Sequence, residues 1–479
     1  MTNLQQLAET LVCQTRSYVY IRPEDGLLIL RPNRVHHLNA SATSMLSRLY
    51  AAERPGADVP ALIAEAAARY HVPESQIEAD LERLLLSVAA LLNDDVCGAP
   101  AVRQTPFGSH ARDLPVLSEI ALTYRCQNRC QFCYAAAPDR GRTVREMSTA
   151  EVQRIIDRIF DEAHCPTVSF TGGEPTLRDD LPTLIAYAKS KGMRVNLITN
   201  GLRCADERYV ALLAEAGLDS AQVSLEAGSA EVHDAIVGRP GAFALTARAV
   251  GTLRAAGIHT HTNTTICAGN RDHLEALIGY VRHTLGSEYL SMNMVIRTGT
   301  ALDHPEIGIS YREVSSMLPT LLACAEREGI RLVWYSPLPY CLFNPVTAGL
   351  GSKSCACADG LLSVSPTGDV LPCSSFEHGL GNLLADSFQR VWHSRAARYW
   401  RSKAFVPPAC AQCPIKHICC GACPLYWDER GSFTELDGIA PPASIWDKLR
   451  WRLRRWERRS WGIGLRRRPR AAEGAHCHG

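Results

Sequence analysis

The chain has 479 residues, 46% of them hydrophobic and 21% charged, which suits a globular protein of two to four domains and excludes both a disordered chain and one small core. No apolar run reaches membrane-spanning length, and the opening MTNLQQLAETLVCQTR lacks the basic start and apolar stretch of a secretory signal, so a cytoplasmic location is expected. The net charge of +2 conceals an asymmetry: from Trp446 onward eleven Lys and Arg face three Asp and Glu, an excess of +8 that leaves the body near −6. Nineteen cysteines are many for a reducing compartment. Twelve of them lie at 126–133 or 341–423 and read as metal ligands, the isolated ones as small buried hydrophobes.

Residues 1–95 form the first unit. SYVYIRPEDGLLILRPNRVHHL alternates apolar and polar residues around the turn formers PEDG and RPN, predicting a short antiparallel sheet. Helices are predicted over Ala40 to Tyr50, over DVPALIAEAAARY with Asp58 and Pro60 near its start, and over PESQIEADLERLLLSVAALL. A small sheet with three helices has the outline of a winged helix. With VHHLNASATSML it resembles the PqqD-like peptide-recognition domains, which implies a precursor-peptide leader as partner, added as a strand to the sheet edge. The alternatives are a winged helix that binds DNA or one that packs on the next domain. DNA reading wants a basic recognition helix and ESQIEADLERLL is acidic, so no nucleic-acid partner is expected. Residues 96–115, rich in Gly, Pro and polar residues, read as a linker.

Over 116–330, six short apolar runs (SEIALT, TVSF, RVNLIT, SAQVSL, THTNTTI, LSMNMVI) alternate with helical patterns. This predicts an α/β fold, a partial (β/α)6 TIM-like barrel with its chemistry at the C-terminal ends of the strands. Just past the first run, Cys126, Cys130 and Cys133 are spaced C-x3-C-x2-C. Three thiolates can wrap three irons of a four-iron, four-sulfur cluster and leave the fourth open; a catalytic zinc also takes three ligands, usually with His among them.

With that triplet, FTGGEP at the end of the second strand makes the barrel resemble the radical S-adenosylmethionine enzymes. The resemblance implies that the open iron chelates S-adenosylmethionine through its amino and carboxylate groups, and that reductive cleavage gives a 5′-deoxyadenosyl radical that abstracts hydrogen from substrate. It further implies that Gly172, Gly173, Glu174 and Pro175 hold the methionine ammonium: the glycines admit close backbone approach, and a carboxylate or exposed carbonyl pairs with the charge. Ser224 and Glu226 would lie near the ribose, with Glu where the family commonly has Asp. Phe132 would lie near adenine, and Asn200 belongs to the family's ITNG stretch at the third strand. No general acid or base is assigned.

Residues 331–440 have weak periodicity and many turn residues, with cysteines in place of an apolar core. Cys357 to Cys373 reads C-x10-G-x4-C, and Cys410, Cys413, Cys419 and Cys423 read C-x2-C-x5-C-x3-C. The quartet alone equally suits a structural zinc. Together the two runs resemble the SPASM extension of peptide-modifying radical enzymes, which implies two auxiliary Fe-S clusters: Cys341, Cys357, Cys373 and Cys423 on the first, Cys410, Cys413 and Cys419 on the second. Cys355 fits the spacing as well as Cys357. The family's final cysteine after the quartet is missing, leaving Asp437, Cys420, Cys477 or an open iron.

Residues 441–479 form a basic tail whose Trp446, Leu449, Leu453 and Trp456 recur at helical spacing; it can pack on the body or touch a membrane surface. The expectation is a maturase that crosslinks a precursor peptide through a thioether or carbon-carbon bond, fed by flavodoxin or ferredoxin. The alternatives are a radical oxidase of a folded protein or tetrapyrrole, and a DNA-binding regulator that senses iron or redox state.

Overall fold

The computed structural model describes residues 2–32, 34–92, 102–105 and 113–461; Cys97, Cys477 and most of the segment read as a linker lie outside the described residues. The N-terminal unit opens with a helix that the sequence reading did not anticipate, Asn3–Thr15, started by a capping box between Thr2 and Gln5. It buries Leu4, Ala8, Leu11 and Val12 along one face. Strands β1 (Val19–Arg22), β2 (Leu27–Leu30) and β3 (Arg34–Leu38) follow, then helices Ala40–Ala51, Pro55–Tyr70 and Glu74–Leu92. The linker reading is corrected at one point: Val102–Thr105 forms β4 and pairs antiparallel with β3, giving the order β1-β2-β3-β4. Four extended residues satisfy their backbone groups on an edge that β3 would otherwise leave open.

The two faces of this sheet have different neighbours. Leu28, Leu30 and Leu38 pack with the helices, while Leu27, Ile29 and Val35 pack with Val116 at the entrance to the next domain. Arg22 fastens the junction. Its guanidinium, fully buried, donates to Asp25 at 2.9 and 2.8 Å, to Pro115 O at 2.5 Å and to His164 O at 3.3 Å.

Six parallel strands form the barrel in chain order: β5 (Leu117–Thr123), β6 (Thr167–Gly172), β7 (Arg194–Thr199), β8 (Ser220–Ser224), β9 (His259–Ile266) and β10 (Tyr289–Met294). The sheet runs past the six expected units. After the amphipathic helix Tyr311–Glu328, RLVW forms β11 (Arg331–Trp334), parallel to β10 and so beyond the boundary placed at 330. At the other edge the cysteine-rich segment returns β12 (Leu361–Val364) parallel to β5, with β13 (Val370–Leu371) antiparallel to it. One face of the sheet is apolar, carrying Ile120, Val168, Phe170, Leu197 and Val223 under the helices. The other is polar: Asn196 Nδ2 donates to Ser169 Oγ at 3.3 Å, Ser220 Oγ to Asn196 Oδ1 at 2.9 Å, and Asn263 Nδ2 to Asn293 Oδ1 at 2.8 Å.

Arg22→Met should strand Asp25 and two carbonyls at the domain junction, at a cost of about 2–3 kcal/mol. The expected readout is a lower urea midpoint and faster hydrogen exchange in β1 and β5. Arg22→Lys should restore less than half, because an ammonium cannot reproduce the forked contact.

Candidate active site

Cys126, Cys130 and Cys133 sit, each half-buried, on the loop between β5 and the short helix Ala137–Thr143. Burial, then the charge of Glu174, pushes the Cys126 thiol up to about 12. Burial also raises Cys130, with Cys133, Cys126 and Glu226 adding to it, and raises Cys133. Asn128 N–H and Asn200 Nδ2 point at Cys126 Sγ from 3.4 and 3.6 Å. Crowded, desolvated thiols lose their protons readily only to a metal. Three of them with N–H donors beside the sulfur therefore fit an iron-sulfur cluster. Among the described residues no three His, Cys, Asp or Glu side chains converge on a site for a single metal ion.

The Gly-Gly-Glu-Pro turn at the end of β6 lies against the start of this loop. A Cβ on Gly172, whose φ is +134°, would stand 2.1 Å from Thr123 O, and one on Gly173 2.4 Å from Arg125 O. Gly173 N–H donates to Thr123 O at 2.7 Å and Glu174 N–H to Arg125 O at 2.8 Å. The glycines thus admit the chain's own cysteine loop, a closer approach than the ligand contact expected of them. Pro175 starts a single 3-10 turn.

Glu174 is fully buried. Its Oε1 accepts from Thr176 N–H (3.1 Å), Thr176 Oγ1 (2.7 Å) and Thr199 Oγ1 (2.8 Å), and Oε2 from Asn200 N–H (2.7 Å). Burial raises its pKa against these donors. Asn200 reaches from the end of β7 to Cys126 and, at 3.2 Å, to Gln127 Oε1.

Ser224 ends β8 half-buried. Glu226 is buried with Oε2 accepting Thr265 N–H at 2.8 Å, and burial pushes it up to about 8. Phe132 packs, half-buried, on the apolar cluster that contains Ile236 and Ala301.

The cysteine-rich segment gathers its thiols in two groups. Cys355 Sγ and Cys357 Sγ are 3.3 Å apart; Cys373 lies within hydrogen-bonding reach of Cys357, and Cys423 feels Cys355 and Cys373. Cys410 feels Cys419, Cys341 and Cys413. Cys341 follows Tyr340, whose N–H donates to Cys419 Sγ of the second set at 3.3 Å. Asp437 supplies its carbonyl to Arg312, at 3.4 Å.

Two further sets of residues at the site were not singled out from the sequence. Thr300, after β10, donates through N–H to Cys133 O at 3.0 Å and through Oγ1 to Cys130 O at 3.0 Å. Beside it Gly299, with φ +56°, leaves 2.2 Å between an added Cβ and Cys133 O. TGT in a loop carries no signal by itself. Tyr134 and Glu119, with Ser363 and Ser374, line a small enclosed pocket between the cysteine loop and the third segment; burial raises both acids.

A barrel that opens on three thiols, followed by two further thiol groups, defines an iron-sulfur enzyme of the radical type. Residues 120–281 match the Radical SAM superfamily, 355–414 the SPASM iron-sulfur cluster-binding domain, and 26–90 the family of coenzyme PQQ synthesis protein D. The AdoMet-dependent heme synthase of Nitratidesulfovibrio vulgaris is 30% identical over 322 residues, 63% of this chain and 85% of that protein. The PqqA peptide cyclase of Methylocella silvestris is 30% identical over 317 residues, 63% of this chain and 80% of that one. In fold, Streptococcus suis SuiB bound to its precursor peptide SuiA covers 89% of this chain and 97% of that one, with TM-score 0.62 at 14% identity. The chain belongs to the radical SAM superfamily and carries a SPASM domain; it is an enzyme that uses S-adenosylmethionine, a 4Fe-4S cluster and auxiliary Fe-S ligation.

Gly299→Ala should displace the cysteine loop. We expect S-adenosylmethionine cleavage by reconstituted enzyme to fall roughly tenfold or more, about 1.4 kcal/mol or above. Gly349→Ala, also at positive φ but with no atom within 4 Å of the added Cβ, is the control for backbone strain alone.

Proposed function

We propose that the enzyme oxidatively crosslinks a ribosomally synthesised precursor peptide, through a thioether or carbon-carbon bond. One observation carries this reading: a PqqD-type unit is latched by Arg22 to Pro115, two residues before the strand that delivers the cysteine loop. The PqqA peptide cyclase among its relatives supports it, as does the likeness to SuiB with its bound peptide.

In this reading Cys126, Cys130 and Cys133 hold the catalytic cluster. When bound, cluster and S-adenosylmethionine supply an electron and a hydrogen-abstracting radical. The carbonyls of the Gly172-Gly173 turn take the methionine ammonium, and Glu174 braces that turn against β7. Ser224 and Glu226 border the ribose and Phe132 the adenine. Asn200 orients Cys126. The thiols of the third segment would hold two auxiliary clusters, which would supply an acceptor for the electron left after hydrogen abstraction, and a flavodoxin or ferredoxin would supply reducing equivalents. The leader lies along the N-terminal sheet, where, among the described residues, the edge of β3 is covered by the four residues of β4.

A second reading, oxidation of a tetrapyrrole, is favoured by the similarity to AdoMet-dependent heme synthases. It gives the N-terminal unit no part in substrate binding.

The deciding assay uses anaerobically reconstituted, dithionite-reduced enzyme with S-adenosylmethionine and a short peptide encoded beside its gene. Expected are 5′-deoxyadenosine and a peptide lighter by one pair of hydrogens per crosslink, both lost in Cys126→Ala. An unmodified peptide alongside turnover of a tetrapyrrole would replace the first reading with the second.

A further inference from the structure

We propose that Cys341 is the fourth protein ligand of the second auxiliary cluster, so that this cluster is closed from upstream of the quartet by the turn at 339–342. The inference rests on the reading that the third segment carries two clusters. Its geometry comes from the segment around Cys341. Tyr340 N–H donates to Cys419 Sγ at 3.3 Å, and Cys419 Sγ lies 3.7 Å from Leu338 O. Tyr340 is itself pinned, with its hydroxyl 3.1 Å from Ser352 Oγ and accepting Lys353 N–H at 2.8 Å. Leu342 N–H closes the turn on Pro339 O at 2.9 Å. Cys341 is thus fixed one residue from direct contact with a cysteine of the quartet. The other group already holds four cysteines, Cys355, Cys357, Cys373 and Cys423, without it. The quartet lacks a following cysteine in the described chain, and this turn supplies a thiol in its place.

The test is iron content and Mössbauer or EPR spectra of the reconstituted full chain. Wild type should hold about twelve irons, and Cys341→Ala and Cys413→Ala should each lose the same signal and roughly four irons. The double variant should lose no more than either single one, whereas Cys341→Ala with Cys373→Ala should lose two clusters. Cys341→Ser, whose oxygen can still ligate, should retain part of the iron and report a fold kept intact. Full iron with unchanged spectra in Cys341→Ala, or loss of the signal that Cys373→Ala removes, overturns the assignment. A wild type holding only about four irons overturns the two-cluster reading beneath it.

A separate observation concerns the helix Ile445–Ser460. It docks on the body through its charged side: Arg455 and Arg458 pair with Asp428, and Trp451 packs edge-on to Phe433 at 5.2 Å. Its apolar stripe faces outward, with Ile445 69%, Trp446 72%, Leu453 68% and Trp456 72% exposed. At 100° per residue these side chains and Leu449 fill about one third of the circumference, bordered by Glu457, which is paired with Arg395, and Arg450 on one side and by Lys448, Arg452 and Arg459 on the other. No helix among the described residues is long and apolar enough to cross a membrane.

We infer that this helix lies in the surface of an anionic bilayer, its tryptophans at the headgroup level and its flanking cations on lipid phosphates. Full-length protein should co-sediment with vesicles of phosphatidylcholine and phosphatidylglycerol, roughly tenfold better than with phosphatidylcholine alone, and release with salt. Trp446→Ser with Trp456→Ser should abolish this while leaving the melting temperature and S-adenosylmethionine cleavage unchanged. Failure to bind the anionic vesicles, equal binding to neutral ones, or a dimer that the same substitutions dissolve would overturn it.

Discussion

The cysteine loop has almost no core of its own, and the function depends on its being held from outside by backbone contacts. Three strand ends supply them. The turn after β6 donates two N–H groups to Thr123 and Arg125. The helix after β8 offers Val237 O and Ile236 O to Arg129 and Gln131 N–H at 2.9 and 3.2 Å. Thr300 after β10 donates to Cys130 and Cys133. Each bond is worth only about 1 kcal/mol net. Their value is geometric, since a loop that must turn three sulfur atoms toward one cluster cannot also spend them on packing. A side chain at Gly172 or Gly299 would push that backbone away, and no neighbour can yield because the obstructing atoms are carbonyl oxygens.

The same clamp sets the electrostatics. Glu174 and Glu226 are both buried beside the thiols, and each, when ionised, adds negative potential at a cysteine: Glu174 at Cys126, Glu226 at Cys130. Thiols desolvated in this way ionise poorly on their own. Glu174 tolerates burial because four donors meet its carboxylate, whereas Glu226 has one from Thr265, and its proton affinity rises accordingly.

What was legible in the sequence follows from what has a local signal. Cysteine spacing and the Gly-Gly-Glu-Pro turn are local, and so are the strand and helix periods of the barrel. The opening helix Asn3–Thr15 was overlooked although Leu4, Ala8, Leu11 and Val12 are at helical spacing, since the strand pattern that follows is stronger. β4 is too short to stand out and exists because β3 offers an edge. Thr300 and the position of Cys341 are illegible in principle: both depend on contacts between residues 79 to 170 positions apart. The tail's helical spacing left open whether it packs on the body or touches a membrane surface; Asp428 and Phe433 draw its charged face and Trp451 onto the body and leave the apolar stripe outward.

β5 is where these parts meet. Its first residues follow the carbonyls that Arg22 captures from the N-terminal unit, and its last residue begins the cysteine loop. Along its length it pairs with β6 on one side and on the other with β12, which the cysteine-rich segment returns to it. Ser363 of β12 donates to Glu119 of β5 at 2.5 Å, in the pocket that Tyr134 closes beside Cys133. A displacement of the N-terminal unit therefore has a short covalent route to the cluster loop, seven residues of one strand, with the third segment bonded to the same strand. Separate linkers would let the three units drift. β5 carries the cysteine loop and pairs with β12 of the third segment, and Arg22 ties the N-terminal unit to the residues just ahead of it, so the three units meet at one strand.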